Sequence, residues 1–262
     1  MPVLFVSHGA PTFALEPGEI GARLRTLGAT LAPGTEAVVV LSPHWPTPAL
    51  AITAAAAPAT IHDFGGFDPA LYRLRYPAPG APALAAEVRD RLVAAGIDAS
   101  LDARRGLDHG AWVPLMHLFP AADRPVLQLS MPVDLDPRGA FALGRALAPL
   151  RERGVLLVGS GSLTHNLYEL RSPGAPAAET ARAFAEWIAA AVAAGDTEAL
   201  IDYRRRAPQA ERAHPTEEHY LPLPFAAGAA NPTEVARRID GGFTYGVLSM
   251  DAYVWGGVDA AG

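Results

Sequence analysis

The sequence contains no cysteine and no lysine among its 262 residues. Without cysteine, the chain can form no disulfide, no thiolate nucleophile, no cysteine-held iron–sulfur cluster and no cysteine zinc site. All 21 basic side chains are arginine, which also excludes Schiff-base and pyridoxal phosphate chemistry and the lysine of a P-loop. The groups that remain for chemistry are histidine, carboxylate, hydroxyl and tyrosine.

The chain also has little positive charge and no long apolar run. Its formal net charge is −6, and it offers no basic stripe for a phosphate backbone, so we expect no nucleic-acid partner. No segment approaches the roughly 20 apolar residues that a bilayer span needs, and the first residues lack a charged leader followed by a long apolar segment. These features predict a cytoplasmic protein without a membrane partner.

Half of the residues are hydrophobic, and short apolar runs alternate with amphipathic helical patterns. Such alternation predicts an α/β fold, with a single domain over residues 1–262 and a central, mostly parallel or mixed β-sheet flanked by helices. The predicted strands are Val3–Ser7, Ala37–Ser42, Ala49–Thr53, Pro125–Ser130, Val155–Gly159 and Phe243–Ser249. The predicted helices are Glu19–Leu31, Pro82–Ala95, Gly139–Arg151 and Ala177–Ala194.

Three of the eight histidines follow predicted strands. His8, His44 and His165 each come just after an apolar run, and ligands in open α/β sheets bind at the carboxyl ends of strands. We therefore expect these imidazoles to converge on an active site there. In a chain without thiols, converging neutral imidazoles suit a divalent metal such as Fe(II) or Zn(II).

A further metal ligand is available in "HPTEEHYLPL", where Pro215 is predicted to begin a helix. Glu217, Glu218 and His219 are the candidates, and composition does not choose among them. A structural role is favoured for the histidines at three other positions, His62, His117 and His214.

Two familiar motifs are absent from the glycine-rich stretch "VGSGSLTHN". Gly159 and Gly161 are not followed by the third glycine of a dinucleotide fingerprint. Ser160 and Ser162 lack the flanking glycines of a nucleophile elbow, which disfavours a serine hydrolase. Residues 57–82 are rich in proline, glycine and aromatic residues, and we expect this loop to form a wall of the active site.

Taken together, seven stretches resemble the class III extradiol ring-cleavage dioxygenases, in the branch similar to plant and bacterial 4,5-DOPA extradiol dioxygenases. They occur in order over nearly the whole chain: "FVSHGAPT", "VVLSPHW", "TIHDFGGF", "LYRLRYPAPG", "GLDHGAWVPL", "GSGSLTHNL" and "PTEEHYLPL". Each stretch is a weak signal by itself, whereas seven in register are specific.

The resemblance implies roles for individual residues. His8, His44 and His219 match the metal ligands, although more distant relatives use a glutamate at the third position. His165 matches a residue described either as a catalytic acid–base or as an additional zinc ligand, and we favour the acid–base. His109 matches a catalytic residue just outside the ligands, which could donate a hydrogen bond to bound oxygen. The aromatic pocket would be lined by Phe64, Phe67 and Tyr220.

The implied activity is ring opening of a catechol-type, DOPA-like substrate by O₂ at Fe(II), with Zn(II) as another occupant of the site. The partners would be a small aromatic diol and O₂. Two alternatives use the same histidines: a zinc-dependent hydrolase, in which the metal activates water, and a non-catalytic metal-binding protein that uses the cleft for recognition.

Overall fold

The computed structural model describes residues 1–257, and its centre is an eight-stranded β-sheet accompanied by a separate two-stranded sheet. The strands are β1 (Val3–Ser7), β2 (Ala37–Thr47), β3 (Leu50–Thr53), β4 (Ala99–Asp102), β5 (Val126–Pro132), β6 (Val155–Gly161), β7 (Ala236–Ile239), β8 (Phe243–Thr244), β9 (Leu248–Ser249) and β10 (Ala252–Trp255).

Ten α-helices and four short 3-10 helices connect these strands within the described residues. The α-helices are α1 (Gly18–Leu31), α2 (Pro69–Arg73), α3 (Pro82–Ala94), α4 (His109–Leu118), α5 (Pro137–Leu147), α6 (Glu179–Ala193), α7 (Thr197–Ile201), α8 (Tyr203–Arg206), α9 (Ala210–Ala213) and α10 (Pro222–Ala229). The 3-10 helices are Pro11–Ala14, Ala32–Gly34, Ala148–Arg153 and Leu167–Glu169. None of the helices in residues 1–257 is long and apolar enough to cross a membrane.

The large sheet has the order β4-β3-β5-β2-β6-β1-β10-β7. Its four central strands, β5, β2, β6 and β1, are mutually parallel, while β3 and β10 pair antiparallel to their inner neighbours. The sheet is therefore mixed with a parallel centre, and the predicted fold class is confirmed. Because β2, β6 and β1 are adjacent, their carboxyl ends lie side by side.

Both faces of the sheet are covered, which explains why the central strands are apolar throughout rather than alternating with polar residues. In β1, Val3 and Phe5 belong to one hydrophobic cluster, which includes residues of α5, α6 and α10. Leu4 and Val6 point to the opposite face, where residues of α1 and α4 pack. The two layers of helices leave the strand ends as the place where polar side chains can gather.

The predicted strand Phe243–Ser249 is wrong in one respect. The segment forms the hairpin of β8 and β9, which pair with each other outside the large sheet. Tyr245 and Gly246 between them have positive φ angles of 51° and 67°, and a chain in this left-handed region cannot continue as an extended strand. The short strands β4, β7 and β10, of four residues each, were not predicted.

Strand β2 is longer than predicted, and it is irregular around His44. Parallel pairing between β2 and β6 ends at Leu41, and pairing with β5 shifts register between Leu41 and Pro46. Pro43 lies in this gap and has no N–H to donate to a neighbouring strand. His44 therefore lies in a bulged segment inside β2 rather than after its end, and such bulges redirect side chains.

Candidate metal centre

The three adjacent central strands each bring one histidine to the same edge of the sheet. His8 follows β1 directly, His44 lies in the bulge of β2, and His165 comes four residues after β6. The convergence of the three imidazoles is as expected. Their positions do differ in burial, since His8 is 1% exposed while the His44 side chain is 21% exposed.

His219 arrives from a different direction, on the turn that precedes α10. No helix begins at Pro215, contrary to expectation: residues 215–221 form bends and turns, and the helix starts at Pro222. This segment packs against the end of β6 at two glycines. A Cβ atom at Gly161 would lie 2.3 Å from the His219 carbonyl oxygen, and one at Gly159 only 2.0 Å from that of Pro222. The glycines of "VGSGS" therefore allow close backbone packing that places His219.

The Nε2 atoms of His8, His44 and His219 meet at one point. Nε2 of His44 lies 3.1 Å from that of His8 and 3.3 Å from that of His219. Two nitrogens that each lie about 2.1 Å from a shared ion are separated by about 3.0 to 3.4 Å in octahedral or tetrahedral coordination. The spacing of these nitrogens fits a metal ion, and they form one of the candidate metal-holding groups in the described residues.

Hydrogen bonds at the opposite ring nitrogen, Nδ1, leave the Nε2 lone pairs of His8 and His219 free. Ser160 donates its hydroxyl hydrogen to the Gly110 carbonyl, so its oxygen accepts from Nδ1 of His8 at 3.1 Å. Nδ1 of His219 donates to the Glu218 carboxylate at 3.1 Å. A neutral imidazole protonated on Nδ1 carries its lone pair on Nε2, which is the form that a metal requires. The donor set therefore fits a divalent metal chemically as well as in spacing.

The electrostatics of the cluster keep the three imidazoles neutral. Burial, followed by repulsion from neighbouring imidazoles, lowers the pKa of His8 and of His219 well below its usual value. Burial and the neighbouring His109 lower the pKa of His44 to about 3, although Asp63 opposes the shift. All three are therefore unprotonated at neutral pH and available as ligands.

His165 lies beside these three histidines, and within the described residues its ring nitrogens are not held by hydrogen bonds as Nδ1 of His8 and Nδ1 of His219 are. Its imidazole stacks on that of His219, with ring centroids 3.5 Å apart and planes 7° from parallel. It forms a second candidate group with Glu218 and His219. Burial lowers the pKa of His165 to about 4, and Glu218 partly offsets that shift. At neutral pH His165 is thus a neutral base at the edge of the cluster.

His109 stands on the other side of the trio, at the first turn of α4. Its ring centroid lies 4.0 Å from that of His44 and 5.4 Å from that of His8. Asp63 accepts hydrogen bonds at 2.8 Å from both the backbone N–H and Nδ1 of His109. Burial raises the pKa of the Asp63 carboxyl, but the hydrogen bonds and electrostatic attraction of His109 outweigh burial and lower that pKa below its usual value.

The aromatic loop contacts the cluster through Phe64. Its ring packs edge-on against His109, with centroids 5.6 Å apart, and also edge-on against Phe67 at 5.6 Å. Both phenylalanines are only partly buried. The loop thus lies beside the histidines, as expected from its composition.

Tyr220 does not lie with these rings, so its assignment to the aromatic pocket is wrong. It is 0% exposed, donates its hydroxyl hydrogen to the Leu200 carbonyl at 2.7 Å, and stacks on Tyr203 at 3.7 Å. Its neighbour His219 faces the cluster, and successive side chains in this turn point in different directions. The tyrosine therefore belongs to the hydrophobic core.

The remaining three histidines donate hydrogen bonds to backbone carbonyls. Nε2 of His62 donates to the Leu74 carbonyl at 3.1 Å, within the aromatic loop. Nε2 of His117 donates to the Phe13 carbonyl at 3.0 Å, and that of His214 to the Leu163 carbonyl at 2.9 Å. The structural roles favoured for these three residues agree with these contacts.

Two residues of the site were not singled out from the sequence. Asp63 lies next to His62 in "TIHDFGGF", and Ser160 was considered only as a nucleophile. Only a general rule could have pointed to them: a ligand histidine usually has a hydrogen-bond acceptor on its other ring nitrogen. That rule does not say which of the many carboxylates and hydroxyls will be the partner.

A mixed α/β sheet that gathers histidines at the ends of adjacent strands defines an α/β protein with a candidate metal site. The family model described as the catalytic LigB subunit of aromatic ring-opening dioxygenase matches residues 4–246. The chain therefore belongs to this family of oxidoreductases, and the family resemblance inferred from the seven stretches is confirmed.

Individual relatives agree with that membership. The chain is 38% identical to a 4,5-DOPA dioxygenase extradiol of Beta vulgaris over 95% of this chain and 94% of that protein. It is 40% identical to a protein of the same name from Escherichia coli K12, over 95% and 93% of the two chains. The crystal structure of an uncharacterized protein from Escherichia coli K12 superposes with a TM-score of 0.80 at 33% identity, covering 98% of this chain and 100% of that one.

Proposed function

We propose that this protein is an Fe(II)-dependent extradiol dioxygenase that opens the ring of a catechol-type, DOPA-like substrate with O₂. The observation that supports this most directly is the convergence of three Nε2 atoms from His8, His44 and His219, with His165 and His109 on either side. The names of the relatives, 4,5-DOPA dioxygenase extradiol, favour an aromatic diol as the substrate.

In this proposal His8, His44 and His219 hold the metal, and no other protein group is needed. Fe(II) bound there would supply Lewis acidity toward the catechol oxygens and the redox chemistry that O₂ requires. A ligand set of three histidines leaves coordination positions open for small molecules.

His165 is the proposed acid–base. Because burial keeps its imidazole neutral, a ring nitrogen can accept a proton from a catechol hydroxyl and return it later in the reaction. Stacking on His219 fixes the plane of the ring next to the metal ligands. The same contact leaves the edge of the ring, where the nitrogens lie, free to face a substrate.

His109 and the aromatic loop complete the pocket. Asp63 orients His109, and the edge-on contact with Phe64 places an apolar surface directly beside it. Phe64 and Phe67 therefore supply a wall against which the flat ring of a catechol can pack. The proposed binding partners are a small aromatic diol and O₂.

The decisive experiment is anaerobic reconstitution with Fe(II), followed by addition of O₂ and a panel of catechols with and without an amino-acid side chain. We expect a yellow ring-opened product and uptake of one O₂ per catechol. The same protein loaded with Zn(II) is the matched control, which should bind metal and form no product.

Each alternative function has its own outcome in that experiment. Hydrolysis of ester or amide substrates by the zinc form, without ring opening by the iron form, would overturn the proposal in favour of a zinc hydrolase. Full iron occupancy with no turnover over the whole panel would favour a non-catalytic metal-binding protein.

A further inference from the structure

Asp63 is the carboxylate closest to two different histidines of the site. One oxygen, Oδ2, lies 2.8 Å from Nδ1 of His109 and 3.6 Å from Nδ1 of His44. The other, Oδ1, accepts from the backbone N–H of His109 at 2.8 Å. The Asp63 side chain is 17% exposed, although the residue as a whole is exposed, so its carboxylate is partly shielded from solvent.

The two bonds to His109 differ in what they fix. The backbone N–H is always a donor, so Oδ1 orients the first residue of α4 relative to the aromatic loop. An imidazole nitrogen can be a donor or an acceptor, and a carboxylate opposite Nδ1 selects the donor form. The distance to His44 exceeds hydrogen-bond length, so His109 is the main partner.

We propose that Asp63 is a positioning residue that holds His109 in the Nδ1–H tautomer, with the Nε2 lone pair presented toward the metal site. A neutral His109 then accepts a proton or a hydrogen bond at Nε2, and it donates there only after it has become an imidazolium. The simple donor role expected for His109 is therefore replaced by an acceptor role in its neutral form.

The same arrangement recurs at the metal ligands, which supports the assignment. Ser160 accepts from Nδ1 of His8, and Glu218 accepts from Nδ1 of His219. Each of these partners leaves an Nε2 lone pair directed inward. Asp63 does for His109 what the other two residues do for the ligands.

Asp63→Asn is the sharpest test, because it preserves shape and removes one acceptor. The backbone N–H of His109 still needs the remaining oxygen, so the amide NH₂ faces Nδ1 and favours the Nε2–H tautomer. The tautomer is measured in the metal-free protein by two-bond ¹H–¹⁵N correlation spectra of the imidazoles. The His109 signals are identified by their loss in His109→Gln.

We expect Nδ1–H in the wild type and in Asp63→Glu, and a shift to Nε2–H in Asp63→Asn. Asp68→Asn is the matched control, since Asp68 lies on the same loop and its side chain accepts only from the Ala70 N–H among the hydrogen bonds of the described residues. It should leave the tautomer unchanged. An unchanged His109 tautomer in Asp63→Asn would overturn the inference.

The kinetic consequence rests on the proposed function. We expect Asp63→Asn to keep its metal and to lower kcat for catechol opening about 10- to 100-fold, the usual range for a residue that orients an active-site histidine, with KM nearly unchanged. Loss of metal equal to that of His44→Ala would mean that Asp63 acts through His44 instead, and would overturn the assignment to His109. If the wild type opens no catechol, the proposed function fails, while the spectra still decide the role of Asp63.

Discussion

The proposed metal trio of His8, His44 and His219 and the hydrophobic core contain histidines that differ in one respect. His8 and His219 in the trio, like His117 and His214 in the core, are at most 6% exposed, and all four have pKa values lowered by burial. In the core, each Nε2 donates to a backbone carbonyl. In the trio, Nδ1 is the donor, and the Nε2 atoms face Nε2 of His44.

The comparison shows that burial and a lowered pKa do not distinguish the proposed metal ligands from core histidines. What distinguishes the two groups is which ring nitrogen has a partner in the protein. A histidine whose Nε2 already donates to a carbonyl has no lone pair to offer there, whereas one held through Nδ1 does. Four sets of substitutions test this difference and the site around it, beginning with the largest expected effect.

Replacing a histidine of the trio should abolish metal binding. We expect His8→Ala and His44→Ala each to lose the bound metal and keep the fold, because both residues lie at the edge of the sheet. His117→Gln is the matched control, since glutamine can still donate to the Phe13 carbonyl, and it should retain metal. Elemental analysis and circular dichroism of the purified proteins measure both properties. A full complement of metal in His8→Ala would contradict the assignment, and unfolding of both variants would favour a structural role.

His165 should separate metal binding from turnover. As an acid–base, it need not contact the metal, so His165→Gln should retain Fe(II) and anaerobic catechol binding. Ring opening should fall by roughly 10²- to 10⁴-fold, the usual effect of removing a positioned proton-transfer group. Iron content, catechol binding and turnover are measured on one preparation. Iron loss as complete as that of His8→Ala would instead make His165 a fourth ligand.

Replacing a core histidine should change how the free energy of unfolding depends on pH, and it should not change the metal content. Burial lowers the pKa of His214 to about 3, whereas in the unfolded chain it is about 6.5. Between these values the unfolded state binds a proton that the folded state does not, so the free energy of unfolding decreases as pH falls below 6.5. The loss is about 1.4 kcal/mol per pH unit for one such group.

Urea unfolding of the metal-free protein between pH 7.5 and 5 measures this slope. His214→Gln keeps a donor for the Leu163 carbonyl and cannot titrate, so its slope should be shallower than that of the wild type by about 1.4 kcal/mol per pH unit in the acidic part of the range. Identical slopes would show that His214 is not held neutral in the folded state. Metal content at pH 7.5 should be the same in both proteins.

The smallest effect is expected at the wall of the pocket. Phe67→Ala removes part of the apolar surface beside Phe64, and it should raise KM for catechols roughly 3- to 10-fold, equivalent to about 0.6 to 1.4 kcal/mol. Metal occupancy should not change. Phe141→Ala truncates a partly buried ring on α5 and serves as the control. Unchanged KM in Phe67→Ala would place the substrate elsewhere.

Much of the scaffold was predictable from local pattern. The apolar runs predicted β1 to the residue and β6 to within two residues, and the positions of His8 and His165 after them placed both at one edge of the sheet. The aromatic loop was located from its composition. These predictions succeed because strand and helix periodicity depend on neighbouring residues, and because parallel strands end at a common edge.

Tertiary structure decided which groups of the intervening segments face the site. In the turn before α10, His219 enters the cluster while Tyr220 enters the core, and no periodicity predicts that division. Asp63 becomes the partner of His109, 46 residues away, only when the aromatic loop folds across the start of α4. By itself, the sequence determined that the protein would have an α/β sheet with histidines at the ends of its strands. The choice of tautomer, partner and direction for each imidazole came from contacts between distant segments, because hydrogen bonds and close backbone packing depend on positions in space.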